Sequence, residues 1–172
     1  TGKGIDVKSY INSKDELEKV CTYLLSQFNQ PVLVEEYLPG REFTVGVLGS
    51  GEEAFVPGAM EIVYKEHTHK FYSYENKENF EGLIDYVAVE GPLLEECKLV
   101  ALKAWNALNC LDGGRVDVKI DRFGKVSFIE VNPLAGLNPV ISDLPILCAL
   151  NNVSYQDIID AILKSAFKRH FN

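Results

Sequence analysis

The sequence contains no run of apolar residues approaching the ~18 that a membrane-spanning helix needs, and no basic start leading into an apolar core. The expectation is a cytoplasmic chain with no membrane partner and no secretory signal. Basic residues are in short supply: 17 Lys and Arg stand against 25 Asp and Glu, a net charge of −8. That balance excludes nucleic acid as the expected ligand, because phosphate backbones are held by a surplus of Lys and Arg. Cysteine is sparse as well. Cys21, Cys97, Cys110 and Cys148 lie far apart, so the short paired spacing of a zinc site is missing. Three of them fall in helix-like apolar patterns and read as small buried hydrophobes. The one close histidine pair, His67 and His69 in "KEHTHKFY", has no Cys or third His beside it. It reads as a loop or strand feature rather than as a pair of metal ligands. No Ser–His or Cys–His constellation offers a nucleophile. The chain also opens without Met, on "TGKGIDVKSY", as though inside a Gly-containing loop. It is expected to be a fragment or a processed chain.

What is present is an ordinary globular composition, 47% hydrophobic and 24% charged over 172 residues. That is enough for one good core, or for one domain and part of another. "SKDELEKVCTYLLSQF" has an N-cap Ser13, acids in its first turn and a one-sided apolar pattern, predicting a helix that Pro31 ends. "VLVEEYL" reads as a strand, "PG" at Pro39–Gly40 as a turn, and "EFTVGVLGSG" as a second strand. "AFVPGAMEIVYK" continues as strand, with Pro57 marking an edge or bulge. Residues 66–82 form a polar, aromatic loop long enough to suggest function. "PLLEECKLVALKAWNALNC" predicts the strongest helix, with Pro92 at its start. A hairpin follows from Gly113, then an irregular "NPLAGLNPVISDLP", then a capped C-terminal helix with basic last turns.

The hairpin, "GGRVDVKIDRFGKVSFIEVNP", poses the functional question. Strand side chains alternate faces, so Val116, Val118 and Ile120 oppose Arg115, Asp117 and Lys119. On the return strand Ile129 and Val131 oppose Phe128, Glu130 and Asn132. A four-residue loop, Arg122–Lys125, with Gly124 left-handed, sets Asp117 across from Glu130 and Arg115 across from Asn132. Facing carboxylates repel and raise at least one carboxyl pKa. A divalent cation between them removes that cost, and Mg²⁺ favours such oxygen ligands. Arg115 suits phosphate or a developing oxyanion. A solvated polar face of an amphipathic hairpin accounts for the pattern equally well.

Arg-x-Asp on one strand and Glu-x-Asn on the next resembles the magnesium site of the ATP-grasp ligases, and most closely the D-alanine–D-alanine ligase branch. The resemblance runs in order along essentially the whole chain. It implies an α+β ATP-grasp fold, an antiparallel sheet with flanking helices, without the family's N-terminal lobe. Residues 1–38 would end the small subdomain and 39–172 would form the large one. By the same resemblance Asp117, Glu130 and Asn132 hold two Mg²⁺ ions, with Mn²⁺ an admissible substitute, and Arg115 contacts the acyl phosphate. "VLVEEYLPGREFTV" resembles the adenine strand: Glu35 meets the adenine amino edge, Leu38 offers backbone to the ring, and Glu42 takes the ribose hydroxyls. "YSYENKEN" matches a Tyr-x-Tyr-x-x-Lys loop that puts Lys77 at the ATP phosphates. "TGKGID" resembles the end of a glycine-rich phosphate loop.

The segment after the metal strand departs from the family. Where the D-alanine ligases read Asn-Thr-x-Pro-Gly and then Ser-Leu, this chain reads Asn132-Pro133-Leu134-Ala135-Gly136 and then "LNPVISDLP". Gly136 keeps a position where backbone lines an oxyanion hole, and Ser142 corresponds to the substrate serine. The change from Thr-x-Pro to Pro-Leu-Ala, together with Asn138 and Asp143, leaves two acceptors open on nearly equal terms: D-alanine, or another amino acid or carboxylate. The expected reaction is ATP-dependent activation of a carboxylate, followed by amide formation with an amine. Partners are small molecules, and a homodimer is allowed. A carboxylate kinase that makes no amide and a non-catalytic nucleotide-binding domain are the alternatives.

Overall fold

The computed structural model describes residues 9–65 and 84–171. The chain divides into two units, Thr1–Tyr37 with Tyr64–Ile84, and Leu38–Val63 with Asp85–Asn172. His67, His69 and Lys77 lie outside the described residues.

In the first unit, α1 (Lys14–Phe28) starts where the sequence predicts. Ser13 Oγ accepts the Glu16 N–H at 3.3 Å, and Glu16 reaches back to the Asn12 N–H at 3.0 Å. The helix stops before Pro31. Asn29 turns left-handed, φ 48°, and its N–H closes on the Leu25 carbonyl, so Asn29 is the cap. The strand expected over "VLVEEYL" is not there. A strand exists by its β-ladder, and this segment joins none among the described residues, whatever its β propensity. The segment instead flanks a recess of about 370 Å³, shared with Leu17, Val20 and Leu24 of α1. Glu35 belongs to this unit.

The second unit is built around β1 (Glu42–Leu48). It is paired along both edges and buries residues on both faces, because helices pack above and below it. The five-stranded sheet runs β3 (Ile84–Ala88), β2 (Ala59–Tyr64), β1, β4 (Gly113–Ile120), β5 (Val126–Asn132). A short bridge from Leu48 to Phe55 precedes β2, and Pro57 falls in the break between them, so this segment is not one continuous strand. On one face Phe43, Val45, Val47, Val116 and Val118 pack against Cys97, Ala101 and Trp105 of α2 (Gly91–Ala107). The Trp105 indole N–H donates to the Gly49 carbonyl at 3.1 Å.

The other face is only half covered. Leu48 and Met60 meet Leu144, Leu147 and Cys148 of α3 (Asp143–Leu150) and Ile158 of α4 (Tyr155–Phe171). The sequence expectation of irregular chain over "NPLAGLNPVISDLP" includes the first turn of α3 and leaves the rest of α3 unassigned. Its residues "DLPILCAL" are apolar all round, so no period shows, and Pro145 sits in the first turn where its missing N–H costs nothing. Among the described residues no helix is long and apolar enough to cross a membrane.

The hairpin keeps the predicted pairing at its functional end: Arg115 opposite Asn132, Val116 opposite Val131, Asp117 opposite Glu130. Nearer the turn it shifts by one, so that Val118 opposes Phe128. Two errors in the predicted register cancel. The loop is longer by one residue, because Asp121 Oδ1 accepts the N–H groups of Phe123 and Lys125 (2.8 and 2.9 Å), with Gly124 left-handed at φ 81°. A bulge then restores the register, and Ile129, expected on the apolar face, is 40% exposed.

The seat of α3 depends on Gly46, which pairs with Arg115 across the sheet. A Cβ there would lie 2.7 Å from Leu147 Cδ1 and 3.1 Å from Leu144 Cδ1. Leu147 is fully buried and has no room to swing aside. Gly46→Ala is therefore expected to cost about 1–3 kcal/mol through overpacking, read as a lower urea midpoint. An unchanged midpoint would contradict this seating.

Candidate active site

The uncovered half of the second face carries the polar residues of three adjacent strands. Registers place Glu42 beside Lys119, Thr44 beside Asp117, and Asp117 beside Glu130. Since i and i+2 share a face, Arg115, Asp117 and Lys119 form one row, flanked by Glu42 and Thr44 on one side and Glu130 and Asn132 on the other.

Asp117 is at the centre, its side chain 15% exposed. Thr44, buried at 1%, donates Oγ1–H to Asp117 Oδ1 at 3.0 Å. Asn132 Nδ2 lies 3.2 Å from Asp117 Oδ2 and 3.1 Å from Glu130 Oε1, so one amide bridges both carboxylates. Arg115 Nη2 stands 3.6 Å from Asp117 Oδ2, while Nη1 makes an ion pair with Asp143 at the start of α3. Lys119 Nζ pairs with Glu42 Oε2 at 3.2 Å. The Asp117 carboxyl is pushed up to about 6. Burial is the main cause; Arg115 and the Thr44 hydrogen bond oppose it, and Glu130 and Glu42 add to it. The repulsion expected from Glu130 is thus present, but burial outweighs it.

Beyond Asn132 the chain lines a recess of about 240 Å³ with Arg115, Asn132, Gly136, Ser142 and Asp143. Gly136 sits against Ser142, where a Cβ would fall 2.5 Å from Oγ. The Ser142 Oγ accepts the Asn138 N–H at 3.1 Å, and the Ser142 N–H returns to the Asn138 carbonyl at 3.1 Å.

The structure brings together Arg115, Asp117, Glu130, Asn132, Gly136 and Ser142, as well as Glu42 through Lys119. Leu38 belongs to the same unit and Glu35 to the other. Thr44 escaped the sequence reading, since one Thr in an apolar strand signals nothing; its placement opposite Asp117 became visible only through the β1–β4 pairing. Asp143 was noted as a departure, but its contact with Arg115 required α3. Among the described residues no three His, Cys, Asp or Glu side chains cluster as a metal site. The candidate ligand set here is two carboxylates and an amide.

A model of the D-ala D-ala ligase C-terminus family matches residues 2–164. The D-alanine--D-alanine ligase of Oceanobacillus iheyensis is 36% identical over 148 residues, 84% of this chain and 39% of that protein. The structure of D-alanine--D-alanine ligase from Bacillus anthracis complexed with ATP matches with a TM-score of 0.67 at 22% identity, covering 92% of this chain and 48% of that one. The VanG D-Ala:D-Ser ligase of Enterococcus faecalis matches at 0.65 and 22%, covering 88% and 43%. The chain thus spans less than half the length of these relatives. The likeness establishes the fold as ATP-grasp, an antiparallel sheet with flanking helices.

Asp117 gives folding a pH dependence of definite sign. Its folded pKa, about 6, lies above the ordinary 3.8, so the native state holds the proton more tightly than the unfolded chain. The benefit is fully present below pH ~4 and is lost as pH rises to ~6, a decline of about 3 kcal/mol. Asp117→Asn should flatten that slope and leave the protein at pH 7 as stable or more so. Urea melts from pH 4 to 7 test this, and the same slope in wild type and variant would contradict it.

Proposed function

The chain belongs to the D-alanine–D-alanine ligase family, and on that premise we propose that it supplies the Mg–ATP-binding part of a ligase that activates a carboxylate and joins it to an amine. The γ-phosphoryl group of ATP moves to the carboxylate, the amine displaces phosphate from the acyl phosphate, and amide, ADP and phosphate result. The observation that carries this reading is the Arg115–Asp117–Glu130–Asn132 constellation on the open half of the sheet, with Asp117 buried and held by Thr44.

The donor set fits magnesium: the two carboxylates are hard ligands of the kind that ion takes, and the Asn132 amide, whose Nδ2 now faces them, would turn its oxygen to a bound ion. A position between two carboxylates that now accepts an amide N–H₂ from Asn132 already attracts positive charge. In this proposal Asp117, Glu130 and Asn132 would hold two Mg²⁺ ions, with Mn²⁺ an acceptable substitute. When bound, the cation neutralises phosphate charge. Arg115 points its guanidinium at the same place and stabilises the transferring phosphoryl group. Glu42, kept in place by Lys119, takes the ribose hydroxyls, and Glu35 and the Leu38 backbone take the adenine edge. Lys77, outside the described residues, takes the phosphates. Gly136 offers its backbone N–H to the oxyanion, and Ser142 holds a substrate. Residues 1–38 act as the end of the small subdomain and 39–172 as the large one. No protein nucleophile takes part; positioning and charge neutralisation carry the rate.

Ligand-induced stabilisation tests this. Mg–ATP at a hundredfold excess over Kd should stabilise the chain by about 2.7 kcal/mol, seen as a raised melting temperature. Asp117→Asn and Glu130→Gln should each abolish most of that rise while keeping the metal-free melting temperature equal or higher. Full retention of the rise in both variants would identify the row as a solvated polar face.

A further inference from the structure

The two oxygens of Asp117 face different strands. β4 lies between β1 and β5, with Thr44 opposite Asp117 in one pairing and Glu130 opposite it in the other. Oδ1 accepts the Thr44 hydroxyl at 3.0 Å. Oδ2 lies 3.2 Å from Asn132 Nδ2 and 3.6 Å from Arg115 Nη2. The oxygen turned toward Asn132 and Glu130 is therefore Oδ2 alone. Thr44 is buried in the middle of the sheet, so water cannot take over from Asp117 as the acceptor of its hydroxyl. To offer both oxygens to one cation, the carboxylate must turn away from Thr44 and strand that hydroxyl in the interior. The hydrogen bond thus restricts how Asp117 can ligate, and that restriction does not fall equally on all divalent ions.

Resting on the Mg–ATP reading of this site, we infer that Thr44 is a positioning residue that sets the metal preference: by occupying Oδ1 it limits Asp117 to a single ligating oxygen and so favours Mg²⁺ over Ca²⁺. Mg²⁺ demands a near-regular octahedron of close oxygens, which the narrow bite of a two-oxygen carboxylate does not fit. Ca²⁺ takes about six to eight oxygens at longer range and readily accepts both oxygens of one carboxylate. The Thr44 hydroxyl therefore costs Mg²⁺ no contact and denies Ca²⁺ one. Thr44→Val keeps the shape of the side chain and frees Oδ1, whereas Thr44→Ser keeps the hydroxyl.

The probe is a non-hydrolysable ATP analogue saturated with Mg²⁺ or with Ca²⁺, titrated by calorimetry into the 172-residue chain and its two variants. The readout is the ratio of dissociation constants, Ca²⁺ form over Mg²⁺ form, which a general loosening of the fold does not move. Thr44→Val is expected to lower that ratio about fivefold or more, and Thr44→Ser to hold it within about twofold of the wild type. A second measurement decides where Thr44→Val does not fold. The Thr44 hydroxyl proton of the wild type, buried and bonded, should be visible by NMR in the free chain and remain so with the Mg²⁺ form bound. Its absence from either, an unchanged ratio in Thr44→Val, or an equal fall in Thr44→Ser overturns the inference. If the analogue binds the wild type equally well with Mg²⁺, with Ca²⁺ and with neither, or does not bind at all, the Mg–ATP reading falls and the inference with it. If binding needs a cation but the ratio ignores Thr44, the inference alone falls.

Discussion

The arrangement turns on one buried carboxylate. Asp117 lies on a strand whose other face is core, opposite a fully buried Thr44, with its own side chain largely shielded from water. Burial disfavours its charged form, and the groups around it offset only part of that cost. One hydroxyl, one amide and one shared guanidinium are its partners. A protein that keeps an acid in such a place without neutralising it fully carries a standing demand for positive charge there. That demand gives the neighbouring Glu130 and Asn132 a meaning they lack as isolated surface residues.

The same strand serves two faces with different tasks. Val116 and Val118 enter the core under α2, and Arg115, Asp117 and Lys119 line the open side, so any shift of β4 by one residue would exchange the two sets. Burial of the valines therefore fixes the polar row in place. On the open side α3 stops short of the row, its leucines seated over Gly46, and only its first residue, Asp143, reaches Arg115. The packing that closes the second core thus also sets the edge of the site.

Much of this was legible in the residues. Strand alternation and the turn glycine were enough to set Asp117 opposite Glu130 and Arg115 opposite Asn132. That pairing survived a wrong loop length because the bulge at Ile129 compensated for it. The features that stayed hidden depend on tertiary partners. "VLVEEYL" has strand propensity but no ladder to join among the described residues, and α3 has no amphipathic period because it is apolar all round. Asn29, not Pro31, ends α1, since a left-handed cap acts before the proline is reached. Thr44 and the Arg115–Asp143 pair join residues 73 and 28 positions apart, contacts that local pattern does not encode.

The central claim is that Asp117 is a buried acid awaiting a cation, and its own titration tests that most directly. Carboxyl-detected NMR of the chain labelled at aspartate side chains would follow Asp117 from pH 3 to 8, without and with Mg²⁺ and nucleotide. The account predicts a midpoint near 6 in the metal-free protein, falling by more than a pH unit when Mg²⁺ and nucleotide are added. A midpoint near the ordinary carboxylate value, unmoved by magnesium, would contradict it.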